Sequence, residues 1–222
     1  MTTLASSRMN RLPVAERGIT IADFFVPIRL GERISSRARH LVLVVAGALF
    51  IALTANYAVP VPGSPVPVTG QTFSILLVGA ALGSRRGLLA TALYVGLGFF
   101  LPVYAEHRSG LGVIAHWDGH LVLGATGGYL AGFVLAGAVV GRLAELGWDR
   151  RIGGAVAAML VGNVLIYLVG LPWLAAATGM SPAMAIDKGL SPFLIGDGVK
   201  LLLAAGLFPL AWWVVGRRPG EG

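Results

Sequence analysis

Six apolar stretches organise this chain, at residues 41–58, 72–82, 88–103, 121–143, 152–176 and 193–215. A helix that crosses a bilayer needs about 20 mostly apolar residues, fewer when it tilts or its ends snorkel. Each stretch therefore predicts a transmembrane α-helix, and together they predict an all-α integral membrane protein, a six-transmembrane-helix bundle. The stretch at 72–82 is short, and Gly83-Ser84-Arg85-Arg86-Gly87 makes a very tight connection to the next. In the fourth stretch the apolar character is strongest after Gly127.

The joints between these stretches are unequal. One set is terse. The other is long and rich in proline, glycine and aromatic residues: Pro60-Val61-Pro62-Gly63-Ser64-Pro65-Val66-Pro67 after the first stretch, and residues 102–119 after the third, with Tyr104, Glu106, His107, His116 and Trp117. Proline-rich segments are expected to be stiff and extended. Long structured loops on one face predict a lid or wall over an outward-facing pocket; solvated linkers are the plainer alternative.

Charge orients the bundle. With the N-terminus inside, the inner joints hold Arg85 and Arg86, then Arg142, Arg150 and Arg151, then Arg217 and Arg218, whereas the outer ones hold Arg108 and Lys188 diluted by Glu106, Asp118 and Asp187. Cytoplasmic loops carry the excess of Lys and Arg, so both termini are expected to be cytoplasmic. Trp212 and Trp213 then fit an anchor at the inner interface. The chain divides into a basic N-terminal extension (1–40), a membrane domain (41–216) and a short tail (217–222). The extension is read either as a basic tail or as a short helix on the inner membrane surface with its arginines toward anionic lipid.

Composition supports the same class. Of 222 residues, 56% are hydrophobic and only 12% charged, with mean hydropathy +0.79; average soluble domains carry roughly 25% charged residues. The net charge of +7 sits at the ends of apolar segments and does not indicate nucleic acid. The absence of cysteine excludes disulfides and thiolate metal sites.

Asp197 and Lys200 begin a stretch that is otherwise apolar to Val215. Three apart on a helix, they share a face, and ionisable residues inside a membrane usually face a partner or cavity; a structural ion pair is the alternative. Gly196 and Gly198 remove bulk beside them. Gln71 stands where the proline-rich joint meets the second span, and its amide can donate and accept. Gly127 and Gly128 permit close packing, and Tyr129 offers a flat ring with a polar tip. Asn163, mid-span, is expected to pair with another helix. Ala48, Ala52 and Ala55 form a small-residue stripe, and Gly128/Gly132 and Gly137/Gly141 repeat that spacing, which lets helix backbones approach.

Catalytic and metal chemistry find little support. His116, Asp118 and His120 cluster in a polar loop that explains itself without a metal. No Walker sequence, Gly-x-Ser-x-Gly or His-Glu-x-x-His is present. The chain is not expected to be an enzyme, although Asp197 and Lys200 acting as acid and base in a small intramembrane enzyme is the rival from another class.

Several segments in order resemble the BioY family, the biotin-specific S components of energy-coupling-factor transporters. They are Val59-Pro60-Val61-Pro62 with Pro65-Val66-Pro67-Val68-Thr69-Gly70-Gln71-Thr72, Leu82-Gly83-Ser84-Arg85-Arg86-Gly87, Leu101-Pro102-Val103-Tyr104-Ala105, Gly124-Ala125-Thr126-Gly127-Gly128-Tyr129-Leu130, and Pro192-Phe193-Leu194-Ile195-Gly196-Asp197-Gly198-Val199-Lys200. The resemblance implies the six-helix S-component fold, biotin uptake across the bacterial cytoplasmic membrane, and a biotin pocket near the outer face. Gln71, Tyr129, Asp197 and Lys200 would line it, with Gly127 and Gly128 beside them. Ala48, Ala52 and Ala55 would meet a transmembrane coupling subunit, and a pair of cytoplasmic ATPases would supply the energy, so no cofactor is implied for this chain. Three features depart from the family pattern: the extension at 1–40, an apparent insertion at 115–122, and Ala125 where a proline usually precedes Thr-Gly-Gly-Tyr. The ligand chemistry is compatible: Asp197 can accept ureido N–H groups, Lys200 can donate to a carbonyl or carboxylate, and Gln71 can do either. An S component or carrier for a different small solute is the second rival.

Overall fold

A computed structural model describes residues 20–25 and 35–215. The remainder of the basic extension and the tail at 216–222, with Arg217 and Arg218, lie outside the described residues. The helices are α1 (Ile21–Phe25), α2 (Ser36–Ala55), α3 (Gln71–Leu82), α4 (Ser84–Gly98), α5 (Gly127–Glu145), α6 (Ile152–Thr178), α7 (Pro182–Gly189) and α8 (Leu194–Val215). By length and composition, α2, α5, α6 and the stretch Pro182–Val214 that includes α8 are able to cross a membrane, and α3 is a shorter apolar helix. The chain is thus a multi-pass, helical membrane protein.

Local chemistry sets the helix ends. The Ser35 hydroxyl accepts from the Ala38 N–H at 3.3 Å to cap α2. Ser181 does the same for α7 through Met184 N–H, also at 3.3 Å, with Pro182 in the first turn. Between α3 and α4 stands Gly83 alone, at φ 83°, a left-handed conformation that favours glycine. The Ser84 N–H and hydroxyl then donate to Glu145 Oε1 at 2.7 and 2.8 Å, tying the start of α4 to the end of α5.

Helix α5 is central and packs on α3, α4 and α6, while α6 also carries α7 and α8. Glycines make these approaches close. A Cβ on Gly132 would lie 2.9 Å from Ile166 Cα in α6; one on Gly141 would lie 2.5 Å from the Gly83 carbonyl carbon, and one on Gly79 2.6 Å from the Gly137 oxygen. Both Gly-xxx-Gly faces of α5 therefore meet helices of the same chain, Gly128/Gly132 toward α6 and Gly137/Gly141 toward the α3–α4 corner.

Several expectations need correction. The fourth span begins at Gly127, not at 121: residues Leu121–Leu123 form a strand (β4) antiparallel to Ala115–Trp117 (β3), pairing Ala115 with Leu123 and Trp117 with Leu121. Gly119 at φ 70° turns this hairpin. The third helix starts at Ser84, including both arginines, and stops at Gly98. The chain beyond it folds back, so that the Tyr104 hydroxyl donates to the Val95 carbonyl at 2.6 Å. The proline-rich joint is a closed hairpin rather than an extended spacer: Ala58–Val59 (β1) pairs with Val68–Thr69 (β2), and the turn is set by Gly63 at φ 75°. Helix α7 was not expected.

The small-residue face of α2 does not form an outer surface. Ala48, Ala52 and Ala55 are 0%, 7% and 0% exposed, because α2 packs on α3 and α4. Its outward face is instead Val42, Val45, Leu49 and Leu53.

Helix α1 likewise departs from a surface helix lying toward lipid. Thr20, Ile21 and Ala22 are buried, and α1 packs on α3 and α8. Asp23 bridges Arg39 of α2 at 2.9 Å and Arg86 of α4 at 2.8 Å. Burial pushes the Asp23 carboxyl up, but the Thr20 N–H and the Arg86 guanidinium outweigh it and hold the group below its ordinary value. At the same end Trp212 is turned inward, donating to Asp149 at 2.7 Å, while Trp213 stays half-exposed.

Candidate binding site

At the loop-rich end, opposite the arginines, a cleft opens between the β1–β2 hairpin, the 104–113 loop and the starts of α3 and α5. Apolar side chains form its floor, among them Leu130, Phe133 and Ile166. Tyr104 and Glu106, Arg108 and Val113 wall one side, and Pro67, Thr69 and Gln71 the other. A mostly apolar cleft with a few converging polar groups suits a small amphipathic ligand.

Gln71 opens α3 and is 5% exposed. Its Nε2 donates to the Tyr94 hydroxyl, and its Oε1 accepts from Thr69 Oγ1 at 3.1 Å. The amide is thereby held in one orientation against the cleft. Tyr94 in turn meets Tyr104 edge to face, centroids 5.9 Å apart, so the packing of the capping loop is coupled to that of Gln71.

Tyr129 lies on the cleft wall, and its hydroxyl donates to the Gly189 carbonyl at 3.0 Å. The ring can sit this low because α6 offers Gly170, where a Cβ would lie 2.7 Å from Tyr129 Cδ1. Gly127 and Gly128 do not line the cleft. Trp173 of α6 covers them, and a Cβ on Gly128 would come within 2.2 Å of the Trp173 Cβ. The Trp173 indole N–H donates to the Gly124 carbonyl at 2.8 Å, clamping the entry to α5. These two glycines thus open the helix that carries Tyr129 and lie against Trp173.

Asp197 and Lys200 do share a face: Lys200 Nζ lies 3.2 Å from Asp197 Oδ1. The other carboxylate oxygen accepts from the Tyr167 hydroxyl. Asp197 is only 6% exposed and faces an apolar groove between α6, α7 and α8, lined by Leu160, Val164, Leu168 and Leu194. Lys200 reaches a small space with Thr72, Phe73 and Asn163. The pair thus sits behind the cleft wall, and Tyr167 stands between. That ring meets Tyr129 edge to face, with centroids 6.3 Å apart and planes at 89°.

Glu106 and Arg108 fall in the loop expected to wall the pocket, though neither was marked as a site residue, and Tyr167 is the wall residue that sequence reasoning passed over. Glu106 and Arg108 form an ion pair, and Glu106 and His107 hold left-handed backbone, φ 58° and 56°, a conformation that costs a non-glycine residue of order 1 kcal/mol or more and concentrates at functional loops. Tyr167 is preceded one turn earlier by Asn163, so a polar stripe on an apolar helix was the available signal. Asn163 does not pair as expected: it is 9% exposed, and its Oδ1 has no hydrogen-bond partner among the described residues, because the neighbouring groove side chains are largely apolar.

Comparison with known proteins bears on every one of these elements. The model of the BioY family matches residues 29–217. A "probable biotin transporter BioY" of Pyrococcus horikoshii is 37% identical over 159 residues, covering 71% of this chain and 88% of the relative. The biotin transporter BioY of Thermotoga maritima is 34% identical, covering 73% and 90%. That of Rhodobacter capsulatus is 36% identical, covering 70% and 83%. The crystal structure of an S-component for biotin from an ECF-type ABC transporter shares the fold with a TM-score of 0.68 at 22% identity, covering 78% of this chain and 90% of that one.

Proposed function

The chain belongs to the BioY family, and from that premise we propose that it captures biotin at the loop-rich end, as the S component of an energy-coupling-factor importer. One observation carries this reading: the family match runs through every segment that builds the cleft, including Gln71, Tyr129 and Tyr167, and through the Asp197–Lys200 pair behind its wall. The relatives are transporters, so the acid–base role for Asp197 and Lys200 gives way to binding.

The ligand chemistry follows from the site. Biotin carries two ureido N–H donors, a ureido carbonyl, an apolar fused ring and a carboxylate tail. The apolar floor of Phe133, Leu130 and Ile166 takes the ring. The Asp197 carboxylate accepts N–H groups, and Lys200 and Gln71 donate to the carbonyl or the tail. Burial of these polar groups makes each hydrogen bond worth more than it would be in water.

In the same proposal α3 and α4 also cross the bilayer, giving six spans, and both termini lie inside. The support is the arginine distribution: Arg39, Arg86, Arg142 and Arg150 gather at the end opposite the cleft. The protein then resides in the cytoplasmic membrane with the cleft outward. A transmembrane coupling subunit and a pair of ATPases complete the importer. Since Ala48, Ala52 and Ala55 are filled from within, a partner meeting α2 meets its outward face at Val45 and Leu49.

The experiment is direct. Protein purified from cells, denatured and analysed by mass spectrometry should release biotin at close to one molecule per chain. Release of another solute in that amount would replace the ligand, and turnover of a bound compound would revive an enzymatic role.

A further inference from the structure

We propose that the Tyr167 hydroxyl is a stand-in for the ligand at Asp197, moving to Asn163 when biotin takes the carboxylate. The inference rests on the biotin-binding reading above, and it makes Tyr167 and Asn163 a switch that positions Asp197.

Three observations combine. Tyr167 is the one residue, among those described, that lines both the outer cleft and the apolar groove. It is therefore the partition between the open site and the buried carboxylate. Next, Asp197 is engaged at both oxygens, Oδ2 by the Tyr167 hydroxyl and Oδ1 by Lys200. A ureido N–H arriving through the cleft meets the Tyr167 ring before it meets the acid. Finally, the structure holds an acceptor without a donor. Asn163 lies four residues before Tyr167 on the same helix, lines the same groove, and leaves its buried Oδ1 unpaired.

Helix geometry connects the two positions. Side chains at i and i+4 are neighbours, and a long side chain on a helix points back toward the N-terminal turn. A modest rotation of Tyr167 thus carries its hydroxyl from Asp197 toward Asn163. The groove side leaves room for the motion, whereas the opposite side is blocked by Tyr129, which its bond to the Gly189 carbonyl holds in place.

The hydrogen-bond count explains why the switch is reversible. With the Lys200 ammonium engaged at Asp197 Oδ1, the empty protein has two further buried acceptors, Asp197 Oδ2 and Asn163 Oδ1, and the Tyr167 hydroxyl serves the first of them. The charged acceptor takes it, since bonds to ionised groups are the stronger. The ureido N–H supplies the missing donor. Asp197 then keeps a partner, the hydroxyl satisfies Asn163, and neither of these two acceptors is left bare. A ligand that lacks an N–H donor leaves the carboxylate short and cannot drive the exchange, so the arrangement also selects for the ureido group.

Titration calorimetry with biotin on the full chain in detergent tests this with three substitutions. Tyr167→Phe removes the competitor and keeps the ring; biotin should bind roughly two- to tenfold tighter. Asn163→Leu removes the landing acceptor; binding should weaken by roughly the same factor, while the melting temperature holds or rises because a bare buried amide has gone. In the Tyr167→Phe background Asn163→Leu should have no further effect, the coupling expected of residues that exchange one hydrogen bond. Equal weakening by Asn163→Leu in both backgrounds, or weaker binding by Tyr167→Phe, overturns the switch. Asp197→Asn separates this from the reading beneath it. If that variant binds biotin as the unaltered chain does, Asp197 is not a ligand contact and the underlying assignment fails. If it weakens binding while the other two variants change nothing, the switch alone fails.

Discussion

At the arginine-rich end, α3 turns into α4 through Gly83 alone, and charged groups lock the corner: Asp23 to Arg39 and Arg86, and Glu145 to the Ser84 N–H. At the loop-rich end, α2 reaches α3 through a hairpin and α4 reaches α5 through a capping loop and a second hairpin. The contacts that hold the helices together there are neutral, Gln71 to Tyr94, Tyr129 to the Gly189 carbonyl, and Trp173 to the Gly124 carbonyl, while the ion pairs Glu106–Arg108 and Asp197–Lys200 stand at the cleft wall and behind it. The contrast separates two tasks. Partly exposed charge pairs close one end, and they respond to salt and pH. Neutral hydrogen bonds, glycine contacts and aromatic edges shape a cavity, and they respond to volume.

The largest effect should come from volume at the loop-rich end. Gly128→Ala places a methyl 2.2 Å from the Trp173 Cβ, between helices that have little freedom to part. Overpacking of this kind costs typically 1–3 kcal/mol, occasionally more. Because Trp173 and Tyr129 move with it, biotin binding should fall by more than tenfold alongside thermal stability. Retention of full binding would show that α5 need not sit so close, and would weaken the distinction between the two ends.

A smaller effect belongs to pH at the arginine-rich end. Asp149, in the turn between α5 and α6, is 1% exposed and bonded to Trp212. Burial pushes its carboxyl up to about 6, against an opposing pull from Trp212 and Arg150. A carboxyl raised in the folded state binds more protons there than in the unfolded chain, so stability rises as pH falls through 6 toward the ordinary aspartate value. From pH 7.5 to 5.5 the gain should be about 1 kcal/mol. It should vanish in Asp149→Asn, and biotin affinity should not follow it. A melting temperature with the same pH slope in both proteins would remove Asp149 as the source.

The smallest effect should be Asp23→Asn. The ion pairs it loses are partly exposed, and such pairs contribute about 0–1 kcal/mol. The expected result is a slight drop in melting temperature, greater at low salt than at high, with biotin binding unchanged. A marked loss of binding would mean that the two ends are coupled through α2 and α4.

The sequence by itself determined the membrane class, the course of the main apolar helices and the Asp197–Lys200 pair. These are local quantities. Hydropathy sums along a segment, and residues three apart on any helix are neighbours. It also marked Gln71 and Tyr129, which the structure brings to one cleft with Thr69 and Phe133. Only the tertiary structure decided that Asp197 spends its second oxygen on Tyr167, thirty residues earlier, since that contact depends on how α6 and α8 pack. Likewise, residues 121–123 read as helix by apolarity, but pairing with 115–117 overrode it. The alanine stripe of α2 shows the reason most clearly. A face of small residues specifies only that some helix comes close, and in lipid, where apolar surface alone has no preferred partner, packing by α3 and α4 filled that face from within.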